Sequence, residues 1–225
     1  MYNTLIFDLD GTLVDSIEDL ALSTNILMEE SQFPTYDLET YKQFVGNGVD
    51  KLIERALPEE HKKEVRKYRA RFDEIYKENC LKNTKPYPGM EELIDELYHQ
   101  GYKLAVVTNK PKVNAATIVN HLFPNKFMYV FGNTVYQPKK PHPCLVQLAM
   151  QLMESNKNET LMIGDSNVDI ETAINAKIKS IGCEWGFRGK EELVQAGATY
   201  TVSKPSDIKN ILTQDMISKP NTIYE

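Results

Sequence analysis

Cysteine is scarce in this 225-residue chain: Cys80, Cys144 and Cys183 are odd in number and widely spaced. That pattern excludes a disulfide framework and offers no zinc site. The four histidines do not stand at ligand spacing from the cysteines either. Long apolar runs are missing, so no stretch reaches the length of a membrane span. A basic-then-apolar leader pattern is also missing, and together these absences lead us to expect a cytoplasmic protein with no membrane partner. Basic excess is missing too. The formal net charge is -6, which argues against nucleic acid as the main partner. Internal repeats and low-complexity segments are absent. What remains is 41% hydrophobic and 26% charged, ordinary for a soluble globular chain long enough for one domain or one domain with an insert.

The apolar run Leu5-Ile6-Phe7 suits a buried parallel strand. Asp8-Leu9-Asp10-Gly11-Thr12 follows at once. Where a strand ends, alternation weakens, so Asp8 and Asp10 can converge beyond its C-terminal end. Two such anions repel unless a cation compensates them.

Helical periodicity follows: Ile17 to Met28 with Asp15 or Ser16 as cap, then a helix through Leu52, Ile53, Ala56 and Leu57 that stops at Pro58. A third helix runs through Val65, Tyr68, Phe72, Ile75 and Tyr76. No strand is legible from there back to residue 16. Asn83 to Gly89 is then a clear break, rich in proline and glycine. Beyond it, strands are expected at Leu104–Val107, Met128–Phe131, Leu161–Ile163, Ile181–Glu184 and Tyr200–Val202, mostly separated by helices. That order predicts an α/β fold, a Rossmann-like doubly wound parallel-sheet core. Residues 1–15 and 83–225 would form this core, interrupted by a helical cap at 16–82. Gln214 to Glu225 lacks apolar periodicity and reads as a loosely held tail.

Three further loops beside strand ends carry polar residues: Thr108-Asn109, Lys139-Lys140-Pro141-His142-Pro143, and Gly164-Asp165-Ser166-Asn167-Val168-Asp169. Taken singly, each has an ordinary explanation. Thr108-Asn109 could be a turn, the lysines solvated, and Asp165 or Asp169 a helix cap. In a doubly wound sheet, however, loops at the C-terminal strand ends line one crevice. Acid pairs, a hydroxyl, an amide and an ammonium group in one crevice suit phosphoryl transfer with a magnesium ion.

With these four segments the chain resembles the haloacid dehalogenase superfamily of phosphohydrolases, over nearly its whole length. The resemblance implies that Asp8 attacks phosphorus and that Asp10 handles the leaving-group proton. It also implies that Mg2+ is held by Asp8, the Asp10 carbonyl and Asp165. Asp169 would stand behind them, orienting water or Lys140. Lys140, which directly precedes the Pro-His-Pro turn, matches the pattern better than Lys139. With Thr108 and the amides near Asn109 it would hold the phosphoryl oxygens, Gly11 and Thr12 also lying against the substrate. The second aspartate argues for phosphate chemistry rather than dehalogenation, which has no phosphate ester to protonate.

The insert's Phe44-Val45-Gly46-Asn47-Gly48-Val49-Asp50 could present Gly46, Asn47 and Gly48 to an anion. With Arg55-Ala56-Leu57, Thr108-Asn109-Lys110 and Trp185-Gly186 it is similar to the phosphoglycolate phosphatases. The partner expected is therefore a small phosphate ester, 2-phosphoglycolate first. A sugar phosphate, nucleoside monophosphate or pyrophosphate comes next, and a phosphomutase or a non-catalytic binding protein last. The basic run from Lys62 to Arg71 reads as a solvated helix face. Either a monomer or a homodimer is compatible with the sequence.

Overall fold

The computed structural model describes residues 1–217. Six strands form one parallel sheet: β1 (Thr4–Phe7), β4 (Lys103–Pro111), β5 (Tyr129–Asn133), β6 (Thr160–Gly164), β7 (Lys179–Cys183) and β8 (Tyr200–Val202). Their spatial order is β5-β4-β1-β6-β7-β8. β1 thus lies at the centre, Phe7 opposite Val106 of β4 and Ile163 of β6. All four of its residues are buried, as a strand covered on both faces requires.

The faces alternate along the strands. Ile6, Ala105, Val107 and Met162 pack under α7 (Cys144–Leu152) and α8 (Asn167–Ala176). Leu5, Phe7, Leu104, Val106, Leu161 and Ile163 point the other way, towards α5 (Met90–His99) and α6 (Lys112–Leu122). Each fully buried Leu, Ile or Phe contributes about 1.5–3 kcal/mol, so this double layer supplies the main driving force for the core. A ninth helix of the core's surroundings, α9 (Gly189–Gln195), and a tenth, α10 (Asp207–Ile217), complete the C-terminal part.

The remaining pair, β2 (Val14–Asp15) and β3 (Lys85–Pro86), is antiparallel, with Val14 opposite Pro86. Between them the chain makes α1 (Ile17–Glu30), α2 (Leu38–Phe44), α3 (Val49–Ala56), a 3-10 turn at Glu59–Glu64 and α4 (Val65–Asn79). α1 packs on α4, and the aromatic pair Phe72 and Tyr76, stacked 5.5 Å apart, is fully buried. The exit from this helical segment is tied to its entry by Asp19. That buried carboxylate accepts from Asn83 N, Asn83 Nδ2, Thr84 N and Thr84 Oγ1 at 2.7–3.0 Å.

Several expectations are corrected. β2 is a strand where none was read, because a two-residue element has no periodicity to see. α2 was likewise unread, although Asp37 caps it by accepting from Thr40 N and Leu38 and Tyr41 stand three apart. Thr108 and Asn109 do not end β4 but lie within it, where pairing with β5 slips between Val107 and Pro111. Ser16 occupies the N-cap position of α1 without a capping bond, its hydroxyl being used elsewhere. α10 carries helix through Gln214–Ile217, shortening the expected tail; residues 218–225 lie outside the described residues. Among the described residues no helix is long and apolar enough to cross a membrane.

Candidate active site

Asp8 leaves the sheet between the ends of β4 and β6, its backbone N–H donating to Ile163 O at 2.8 Å. The neighbouring strand ends bring the other groups to it. Lys140, from the loop before α7, is buried and sets Nζ 2.8 Å from Asp8 Oδ1 and 2.6 Å from Asp169 Oδ1. Lys139 points away, 3.3 Å from Asp50 of α3. Burial raises the Asp8 carboxyl to about 6, against the pull of the Lys140 ammonium and with the push of Asp169. For Lys140, burial lowers the ammonium, but Asp169 and Asp8 outweigh it and the net shift is upward.

Asp165, at the end of β6, is buried and its carboxyl is raised well above the ordinary range by burial, then by Asp169 and Asp8. It does not cap α8. That task falls to Ser166 and Asp169, which exchange hydrogen bonds as a capping box. Asp165 instead accepts from Thr12 Oγ1 at 2.9 Å and from Phe187 N at 2.9 Å. Two glycines allow this. Gly11 has φ +84° and passes so close to Asp165 that a Cβ would strike its carboxylate. Gly186 meets Asp165 from the other side in the same way. Trp185 Nε1 closes the wrap by donating to Thr12 O at 3.1 Å.

Carboxylate oxygens of Asp8, Asp165 and Asp169 lie within 4.8 Å of one another. The Asp10 carboxylate is outside this group and faces the helical segment. It accepts from Ser16 Oγ at 2.5 Å and from Lys110 Nζ at 2.9 and 3.1 Å. Four carboxylates, Asp8, Asp10, Asp165 and Asp169, therefore face two buried ammonium groups, Lys110 and Lys140. Such a crowd of hard carboxyl oxygens is the kind of donor set that a divalent cation such as Mg2+ takes.

A small cavity of about 40 Å³ adjoins Asp8 and Asp10. Its floor is completed by Thr108, Asn109 and Lys110. The roof is Leu20, Val45, Gly46, Gly48, Val49 and Leu52, all from the helical segment. Asn109 stitches roof to floor. Its Nδ2 donates to Gly46 O and Lys140 O, both at 3.2 Å, and its Oδ1 accepts from Lys140 N at 2.8 Å.

The structure thus gathers Asp8, Asp10, Gly46, Gly48, Thr108 and Asn109 around one cavity, with Lys140, Asp165 and Asp169 directly behind Asp8. Thr12 and Gly11 lie against Asp165, and the Asn109 side chain is spent on backbone groups. Asn47 turns outward, accepting from Arg55 Nη2 at 2.9 Å in a separate outer cleft. Sequence reasoning missed three contributors: Lys110, Ser16 and the loop Trp185–Arg188. The one signal for Lys110 was its place directly after Thr108-Asn109.

A parallel sheet with acids and a lysine at its C-terminal edge, roofed by an inserted helical segment, defines a doubly wound α/β core with its site at the strand ends. A family model described as haloacid dehalogenase-like hydrolase matches residues 5–183, and the chain belongs to that family. It is similar to the phosphoglycolate phosphatase of Vibrio parahaemolyticus, with 32% identity over 92% of this chain and 94% of that protein. It is also similar to the phosphoglycolate phosphatase of Aquifex aeolicus, with 30% identity over 95% and 98%. Among solved structures, a predicted phosphoglycolate phosphatase from Haemophilus somnus superposes with TM-score 0.86 at 30% identity, covering 94% of this chain and 98% of the other.

Proposed function

We propose that the protein is a cytoplasmic phosphatase for small phosphate monoesters, its substrate class the phosphate esters of short hydroxy acids, with 2-phosphoglycolate foremost. The observation that carries this reading is the Asp8 carboxylate at the end of the central strand, with Lys140 Nζ 2.8 Å away and Asp10 facing the same cavity. The curated relatives bearing the phosphoglycolate phosphatase name support the choice of substrate. The helical segment 16–82 acts in this reading as a cap that closes over the site and excludes water.

Asp8 Oδ attacks phosphorus, the ester P–O bond breaks, and the phosphoryl group is carried as an aspartyl-phosphate. Asp10 gives its proton to the departing alkoxide, then takes one from the water that cleaves the acyl phosphate and restores Asp8. Lys140 and the Thr108 hydroxyl stabilise the phosphoryl oxygens in place, at no reorganisation cost because both are already held. Asp8, Asp165 and the Asp10 carbonyl would hold Mg2+, which supplies charge neutralisation between an anionic nucleophile and an anionic ester. Asp169 acts through Lys140, whose ammonium it positions. The protein works as a monomer or a homodimer.

Initial rates against a panel of phosphate esters, with Mg2+ and with chelator, test the reading. A preference for 2-phosphoglycolate of about a hundredfold in kcat/KM is expected, corresponding to about 2.7 kcal/mol of differential transition-state binding. Full turnover after chelation would contradict the metal, and no turnover of any ester would overturn the phosphatase itself.

A further inference from the structure

Lys110 is almost fully buried at the end of β4, and its position suits more than structure. Its ammonium is fixed from one side by Asp10 and from the other by the ring of Tyr76, whose centroid lies 4.6 Å from Nζ. Among the described residues lining the inner cavity it is the one cation. Lys140, Lys139, Arg55 and Arg188 lie nearby but do not line that cavity. Lys140 sits between Asp8 and Asp169, Lys139 is on Asp50, and Arg55 is bound to Phe44 O and Asn47. Opposite Lys110 the roof offers aliphatic side chains and the Gly46–Gly48 backbone.

A leaving group entering this cavity meets an ammonium whose single carboxylate partner is Asp10, between an aliphatic roof and a polar floor that also holds Asp8, Thr108 and Asn109. A neutral alcohol could only accept a hydrogen bond from that ammonium, and an ammonium on the leaving group would be repelled by it at close range. An anionic group would complete it. The cavity is small, which keeps that anion close to the ester oxygen. We propose that Lys110 is the specificity residue of this enzyme, binding a carboxylate borne one carbon from the ester oxygen and so selecting phosphate esters of short hydroxy acids.

The inference rests on the phosphatase reading above, and the test separates the two. The wild-type enzyme is assayed on three esters of nearly equal size: 2-phosphoglycolate, 2-hydroxyethyl phosphate and 2-aminoethyl phosphate. The expected order of kcat/KM is anionic over neutral over cationic, with at least about tenfold between the first two. Lys110→Met, checked for folding by circular dichroism, should lose activity on all three, since Lys110 also touches Asp10. Its defining loss is in the ratio: the preference for the anionic over the neutral ester should fall to within about threefold of unity. Glycolate should inhibit the wild type more strongly than ethylene glycol, and Lys110→Met should erase that difference.

A wild type that hydrolyses the three esters equally overturns the inference while leaving the phosphatase standing, and so requires no variant at all. A Lys110→Met enzyme that is slower by one common factor on all three overturns it too, reducing Lys110 to a support for Asp10. Hydrolysis of none of the esters removes the phosphatase reading itself.

Discussion

Asp8→Asn should make the metal-free protein more stable while abolishing its turnover. The Asp8 carboxyl is raised from 3.8 to about 6, by burial first and by the nearby carboxylates, with Lys140 opposing. In the unfolded chain it ionises near its ordinary value, so folding takes up a proton between those two values. Stability linked to this group is therefore full below about pH 3.8 and declines as pH rises through about 6. Two pKa units correspond to about 3 kcal/mol, present as a penalty at pH 7.5 and absent at pH 3.5. Asparagine carries no charge to desolvate, and its Oδ1 can still accept from Lys140. In chelator at pH 7.5 the variant should melt above the wild type, by roughly 6–12 °C for a chain of this size. The two should converge as pH falls towards 3.5. Added Mg2+ should raise the wild-type melting temperature and move the variant much less, since one oxyanion ligand is gone. Thermal denaturation at several pH values, with and without Mg2+, measures all of this. A variant that melts no higher than wild type at pH 7.5 in chelator, or a difference that does not shrink in acid, would refute the reasoning.

Lys140→Ala leaves Asp8 and Asp169 facing each other without their shared cation; it should cost about 3–5 kcal/mol in urea denaturation and lower kcat by at least about a hundredfold. Asp19→Ala strands the donors of Asn83 and Thr84 at the exit of the helical segment. A loss of about 2–4 kcal/mol is expected, and a change below about 0.5 kcal/mol in the denaturation midpoint analysis would contradict the tie between the two linkers. Arg188→Ala removes bonds from the core to Gln43 Oε1, Gln43 O and Val45 O on the roof. KM should rise roughly tenfold with kcat within about threefold of wild type, because roof and floor separate more easily while the groups around Asp8 stay in place. Hydrogen exchange at residues 43–48 should quicken in the same variant, and unchanged exchange there would show that Arg188 does not hold the roof down.

How much of this was legible beforehand depended on sequence distance. β1 and β6 announce themselves as apolar runs ending in acids, and both matched because each is buried on two faces. β4 was read short. Its last residues are polar, and they stay buried only because the site covers them. The two-residue strands β2 and β3 are made by their mutual pairing, a contact that no local pattern encodes. Partnerships within the site were invisible for the same reason. Thr12 and Asp165 are 153 positions apart, Lys110 and Asp10 are 100 apart, and Tyr76 reaches Lys110 from another part of the fold. A motif can show that Thr12 and Asn109 belong near a site. It cannot show that the first is spent on Asp165 and the second on Lys140 and Gly46.

Chemistry and selection are supplied by different parts of the chain, and one loop joins them. The strand ends hold Asp8, Lys140 and Asp165 through bonds within the core, so their geometry does not need the roof. The roof comes from the helical segment, which meets the floor through Asn109, Lys110 and Lys139. Residues 185–188 belong to both systems: Phe187 N holds Asp165, while Arg188, the next residue, holds Val45 O at 2.8 Å. A rigid lever this short leaves little slack between the acidic group and the roof. The roof can therefore be exchanged for a different one in evolution, altering which leaving group fits, only if its edge still offers carbonyls to Arg188. Positions 43–45 are thus held by the core through their carbonyls, whereas Val49 and Leu52 line the cavity and also pack in the hydrophobic core, so only residues of similar bulk can follow the ligand there.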